Sequence, residues 1–217
     1  MRKSKKSQQL PDTTNDIEAL FRPKFFEQPI ARVINLYLCG PIQGAEEYVE
    51  WFQILRGVSE NDVVYIRINS EGGDLFATLQ LVRAIEECKG HVIVSVEGIC
   101  MSAATLIFLA GHSYEVSDHT MFMFHNYSSG AMGKGGEMYD QITHFRTWSE
   151  KLFTSFYKDF LTNDEIKSML DNKDIWMDAQ EVIKRLQKLQ KPDEVKNKTR
   201  SKRTKKIEKT QETSDEV

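Results

Sequence analysis

The chain has 217 residues, 40% hydrophobic and 28% charged, with 29 Lys and Arg against 32 Asp and Glu and a net charge of −3. That suits one globular domain of ordinary size, and it provides no overall cationic field to hold nucleic acid or an anionic membrane. The longest apolar run, Ala103 to Ala110, is far too short to cross a bilayer.

No apolar stretch follows the basic N-terminus "MRKSKKSQQLPDTTND", so no secretory signal is read and a cytoplasmic location is expected. Residues 1–30 lack periodicity and are expected to form a mobile arm. "INLYLCG" (34–40) reads as a strand ending in a Gly-Pro turn. "AEEYVEWFQILRGV" (45–58) spaces Val49, Phe52, Ile54 and Leu55 as an amphipathic helix. "DVVYIRI" (62–68) is a β-branched strand, and "DLFATLQLVRAIEEC" (74–88) steps Leu75, Leu79, Val82 and Ile85 along a helix. "HVIVSVE" (91–97) is a third strand.

"GICMSAATLIFLAG" (98–111) follows, apolar on all sides and so expected as a buried helix with Ser102 at its mouth. "TMFMFH" (120–125) is another strand. Residues 137–161 carry Met138, Ile142, Phe145, Leu152, Phe156 and Phe160 along a long helix. "TNDE" (162–165) is a capping box, and "DAQE" (178–181) a further helix start with Asp178 as its cap. From 191 onward only Val195, Ile207 and Val217 are aliphatic, too few to offset chain entropy, so a disordered lysine-rich tail is expected over 191–217. Its cluster "KNKTRSKRTKK" reads as a solvated tail, and nucleic acid is not expected as a partner. Cys39, Cys88 and Cys100 are odd in number and lie in apolar contexts; buried, reduced thiols are expected.

Strands alternating with helices over short connections argue for α/β with largely parallel strands. Chemistry then gathers at the carboxyl ends of strands. Three such ends carry polar groups: "INSEGGD", "GICMS" and "FMFHN". Ser102 reads either as a helix N-cap or as a nucleophile. A nucleophile needs a base and a group to orient the base; His125 and Asp174 are the candidates. Gly72 and Gly73 read either as a tight turn or as backbone that brings N–H groups to a ligand. The N–H groups of that glycine pair and of Ala103 are the candidate oxyanion donors.

Taken in order, "INLYLCGPI", "YIRINSEGGD", "GICMSAA…LAG", "MFMFHN" and "DIWMDAQE" resemble the ClpP family, the proteolytic subunit of the Clp protease. In that family a strand ends in Gly-Pro-Ile. Ile-Asn-Ser-Pro-Gly-Gly, Gly-x-Ala-Ala-Ser, Met-Ile-His-Gln and Asp-x-Phe followed by Met or Leu come after it. The likeness runs from about 33 to 188, with 125 − 102 = 23 residues from Ser102 to His125 and 174 − 125 = 49 from His125 to Asp174. It implies a ClpP/crotonase-like α/β fold over 31–190, with helices flanking the sheet and a protruding handle helix after "SSGAMGKGG" (128–136). It implies Ser102 as nucleophile, His125 as base, Asp174 as its orienting carboxylate, and Gly73 and Ala103 as the oxyanion hole. It also implies a homo-oligomer of stacked rings enclosing a chamber, unfolded polypeptide as substrate and an AAA+ unfoldase partner that uses the ATP. No cofactor, metal or membrane is implied for this chain itself. Glu71, Cys100-Met101, Ala103 and Asn126-Tyr127 depart from the family's residues.

Three other readings are open to the sequence. One is a phage head-maturation protease of the same fold. Another is a crotonase-like acyl-CoA-binding enzyme, which needs no Ser–His–Asp set. The last is a non-catalytic ring subunit, which would lack a triad residue. A metal site from His112, Asp118, His119 and His125 has neither helical His spacing nor a Cys-x-x-Cys pair behind it.

Overall fold

The structure, a computed structural model, describes residues 31–189. The arm expected over 1–30 and the tail expected over 191–217 lie outside the described residues.

Six strands form one sheet: β1 (Val33–Cys39), β2 (Val63–Ser70), β3 (His91–Met101), β4 (Ser113–Val116), β5 (Met121–Phe124) and β6 (Ile175–Asp178). Their order is β1-β2-β3-β5-β6, with β4 also on β3. All pairings are parallel except β5 with β6. Parallel neighbours need a crossover. A 3₁₀ turn (Ala45–Tyr48) with α1 (Val49–Gly57) joins β1 to β2, α2 (Leu75–Glu86) joins β2 to β3, and α3 (Ala104–Leu109) joins β3 to β4. Three further helices follow: α4 (Gly135–Tyr157), α5 (Asn163–Leu170) and α6 (Ala179–Leu189).

Alternation decides which side chains enter the core. Val64, Ile66 and Ile68 of β2 and Val92, Val94 and Val96 of β3 are fully buried, while Tyr65 and Arg67 point to the other face, only half-covered. Leu106, Ile107 and Phe108 of α3 lie in the same core, with Phe122 and Phe124 of β5. On α2 the buried face is Ala77, Leu81, Val82, Ala84 and Ile85. Val82 and Ile85 of the expected stripe are buried, but Leu75 and Leu79 are only partly covered, because the buried face is centred on Ala77, Thr78, Leu81 and Ile85.

Three expectations need correction. The segment 98–111 is not one helix: residues up to Met101 belong to β3, and only Ala104–Leu109 is helical. The reason is that β3 forks. Its first half pairs with β4 from Ile93↔Ser113 to Val96↔Val116, and its second half with β5 from Ile99↔Met121 to Met101↔Met123. The four-residue strands β4 and β6 were not anticipated at all. Cys39 is exposed, unlike Cys88 and Cys100, because the outward positions of edge strand β1 include Val33, Tyr37 and Cys39.

The chain from His125 to Lys134 has no regular structure and leads into α4, a helix of 23 residues. The first half of α4 projects from the body, with Tyr139 71% and Ile142 54% exposed, and its last turns are buried through Phe153 and Tyr157. This is the protruding helix that the family resemblance implies. At the other end of the fold, Thr162 caps α5 in the expected capping box, and Asp178 caps α6 by accepting from the Glu181 N–H at 2.9 Å. Arg185 of α6 forks onto both carboxylate oxygens of Glu165 on α5, at 2.7 and 2.8 Å. Among the described residues no helix is long and apolar enough to cross a membrane.

Candidate active site

Ser102 follows the last residue of β3 directly. Its backbone is left-handed, with φ 54°, which costs a non-glycine residue roughly 1–2 kcal/mol. Two partners hold it there: its N–H donates to the Met123 carbonyl on β5 at 2.8 Å, and its own carbonyl accepts from the Thr105 N–H at 3.0 Å. The side chain does not cap the helix. Ala103 occupies the N-cap position of α3 and no side chain caps it; the Ser102 hydroxyl instead lies 2.6 Å from Nε2 of His125. The strained turn therefore aims the hydroxyl at an imidazole rather than at the helix.

His125 is the first residue after β5. Its ring is half-buried, and burial lowers its pKa from the ordinary histidine value while the Asp174 charge pulls it back up. A neutral imidazole at neutral pH can accept the serine proton through Nε2. Asp174 immediately precedes β6. The antiparallel register runs from Met121↔Asp178 to Phe124↔Ile175, and one further step sets Asp174 opposite His125. The carboxylate is exposed and makes no hydrogen bond to the imidazole among the described residues. Its place across the strand pair is near enough for its charge to act on the imidazole.

Gly72 and Gly73 approach the serine from β2. A Cβ on Gly72, at φ 94°, would sit 2.7 Å from both the Met101 carbonyl oxygen and the Ser102 Cβ. One on Gly73, at φ 150°, would run into the Ile42 backbone. Ile42 clamps this turn on both sides: its N–H donates to the Gly72 carbonyl at 2.8 Å and its carbonyl accepts from the Asp74 N–H at 2.9 Å. Only residues without a side chain fit so tightly. Gly73 and Ala103 line the same cleft as Ser102 and His125, and its volume is about 420 Å³. Neither the Gly73 nor the Ala103 N–H donates to a backbone carbonyl among the described residues.

Sequence reasoning missed most of the cleft's aromatic wall. Phe76, Tyr127 and Phe145 line it with Phe153, and Phe76 stacks on Trp148 at 5.9 Å between ring centroids. Phe76 falls off the buried stripe of α2 and is 58% exposed; an aromatic on the polar side of a helix beside the glycine turn is the signal that marks it. Cys100, two residues before Ser102, is fully buried and its thiol pKa is pushed well up by burial, so it stays an inert thiol. Among the described residues no three His, Cys, Asp or Glu side chains gather as a metal-ligand set.

The sequence model of the family described as Clp protease matches residues 30–185. The chain belongs to the Clp protease family. A curated relative, ATP-dependent Clp protease proteolytic subunit 2 of Treponema denticola, is 24% identical over 174 residues, 78% of this chain and 84% of that protein. Among solved structures, a ClpP1 point mutant from Listeria monocytogenes superimposes with a TM-score of 0.56 at 23% identity, covering 70% of this chain and 86% of that one. This is a divergent Clp protease sequence on a recognisable ClpP fold, and the match favours a peptidase over the acyl-CoA alternative. The structure brings Ser102 and His125 of this Clp-family chain into hydrogen-bond contact and sets Gly73 and Ala103 beside them, with Asp174 across the strand pair from His125.

Proposed function

We propose that this chain is a serine endopeptidase acting on unfolded polypeptide. The observation that carries the reading is the 2.6 Å contact between the Ser102 hydroxyl and His125 Nε2, made by a serine held in left-handed backbone. His125 takes the proton as Ser102 Oγ attacks the scissile carbonyl. The oxyanion that forms is received by the N–H groups of Gly73 and Ala103. His125 then returns the proton to the leaving amine, and water, activated by the same imidazole, releases the acyl group from Ser102. Asp174 favours the imidazolium that appears in each step.

The exposed apolar groups Met132, Tyr139 and Ile142, at and before the projecting half of α4, suit burial against further copies of the chain, as in stacked rings enclosing a chamber. The ATP in the name of the Treponema denticola relative supports an AAA+ unfoldase as the partner that delivers substrate. Fluorophosphonate treatment tests the chemistry. The expected result is a single adduct on Ser102, found by peptide mass spectrometry and abolished with peptide hydrolysis in Ser102→Ala. Undiminished hydrolysis by Ser102→Ala would remove this serine from the mechanism.

A further inference from the structure

Two buried hydroxyls stand in series behind the nucleophile turn. Thr105 and Tyr157 are 0% and 1% exposed, and neither borders the cleft. Thr105 Oγ1 donates to the Ser102 carbonyl at 2.6 Å, and the Tyr157 hydroxyl lies 2.7 Å from Thr105 Oγ1. A hydroxyl has one proton and a carbonyl can only accept. The Thr105 proton is therefore committed to Ser102, and Tyr157 must donate to Thr105. Burial holds the Tyr157 phenol protonated far above its usual range, so this donor persists at any working pH.

A threonine bonding back to the carbonyl three residues earlier is common in helices, and a buried tyrosine hydroxyl needs some partner. Two facts go beyond that. The carbonyl belongs to the residue in left-handed backbone, whose N–H is already fixed by Met123, so both peptide groups flanking the Ser102 Cα are held. The far end of the series, Tyr157, is the last residue of α4, wedged edge-on against Phe124 of β5 at 5.5 Å between centroids. We propose that Tyr157 and Thr105 are positioning residues that hold Ser102 in its reactive backbone conformation and tie that conformation to the seating of α4. The proposal rests on the reading of Ser102 as the nucleophile.

The test uses the full chain and the second-order rate of fluorophosphonate labelling, with the melting temperature and the pH profile measured beside it. Losing one hydrogen bond at a reactive turn is expected to slow Thr105→Val about tenfold and Tyr157→Phe about threefold. Thr105→Ser keeps the hydroxyl and recovers most of the rate. The double variant Tyr157→Phe with Thr105→Val is no slower than Thr105→Val, because the two act as one series. The pH midpoint, set by His125, does not move in any of them. Tyr114→Phe is the matched control: it deletes another tyrosine hydroxyl, one that donates to the Leu109 carbonyl at 3.2 Å, and labels at the wild-type rate. Labelling of Tyr157→Phe no slower than that of Tyr114→Phe overturns the proposal, and this comparison decides alone where Thr105→Val does not fold. Labelling that survives in Ser102→Ala would defeat the nucleophile reading itself. An unlabelled Ser102→Ala beside full-rate Tyr157→Phe would defeat only the hydroxyl series.

Discussion

Ser102 and Asp174 flank His125 from opposite kinds of structure. Ser102 directly follows β3, a strand with parallel partners on both sides, and its backbone is hydrogen-bonded at both peptide groups. Asp174 precedes β6, four residues long, at the end of the sheet order and paired only with β5. The serine turn is packed so closely that a single Cβ on Gly72 has no room, whereas the aspartate is exposed. The contrast separates a preorganised half, where backbone geometry fixes Ser102 and the glycine turn beside it, from an adjustable half. There an edge strand sets the register, and the carboxylate is exposed and not hydrogen-bonded to the imidazole. Preorganised donors carry most of the transition-state stabilisation in such sites, so the two halves should differ in what mutation costs.

Substitutions can be ranked on that basis. Ser102→Ala should lower kcat/KM by about 10⁴-fold or more, since the serine and histidine act as a unit. Gly72→Ala tests the crowded half. It forces a Cβ between Met101 and Ser102 at a positive φ, and we expect roughly a 10²-fold loss of activity with a falling melting temperature. A variant as stable and active as wild type would mean that the turn is looser than described. Asp174→Asn tests the adjustable half, with an expected loss of about 10- to 100-fold and an unchanged melting temperature, because the carboxylate is exposed.

The pH profile sharpens the same point. Burial disfavours the His125 imidazolium, so wild-type kcat/KM should rise through a midpoint below the ordinary histidine value of about 6.5. The Asp174 charge raises that midpoint, so Asp174→Asn should move it lower still. A midpoint that stays put would show that the two side chains do not interact.

The smallest expected effect lies in the brace around the adjustable half. Arg185 holds Glu165 down to a pKa of about 2. A depressed carboxylate stabilises the fold above its unfolded value of about 4.3 and loses that stabilisation as the pH falls toward 2. Glu165→Gln should therefore cost about 1–2 kcal/mol at neutral pH in denaturant titrations. The difference from wild type should vanish in acid, with peptidase activity reduced little.

Much of the crowded half is legible in the sequence, because its signals are local. Paired glycines after a β-branched strand, a serine at the next strand end and a histidine closing a third all stand at carboxyl ends, where parallel sheets collect chemistry. What local signals miss is the conformation of Ser102. A serine before an apolar run reads as a cap, and only the pairing of Ile99–Met101 with β5, more than twenty residues later, turns that stretch into strand. Asp174 has little local support as a candidate. Its local sequence, "DNKDIWMDA", looks like a surface loop, and the register that sets it opposite His125 exists only once β6 has found β5. Strands of four residues such as β4 and β6 have too little pattern of their own to be read from composition.

The late arrival of β6 bears on how the chain is made. Asp174 is synthesised 174 − 102 = 72 residues after Ser102. At about 5–20 residues per second, that is an interval of about 4 to 14 seconds. Parallel strands joined through long crossovers form slowly, and the Ser102 turn needs Met123 before its backbone is fixed. A newborn chain thus carries a serine with neither its histidine nor its aspartate in place. On the proposed mechanism, peptidase activity therefore appears only after β6 has paired with β5, a delay set by the sequence order of the strands.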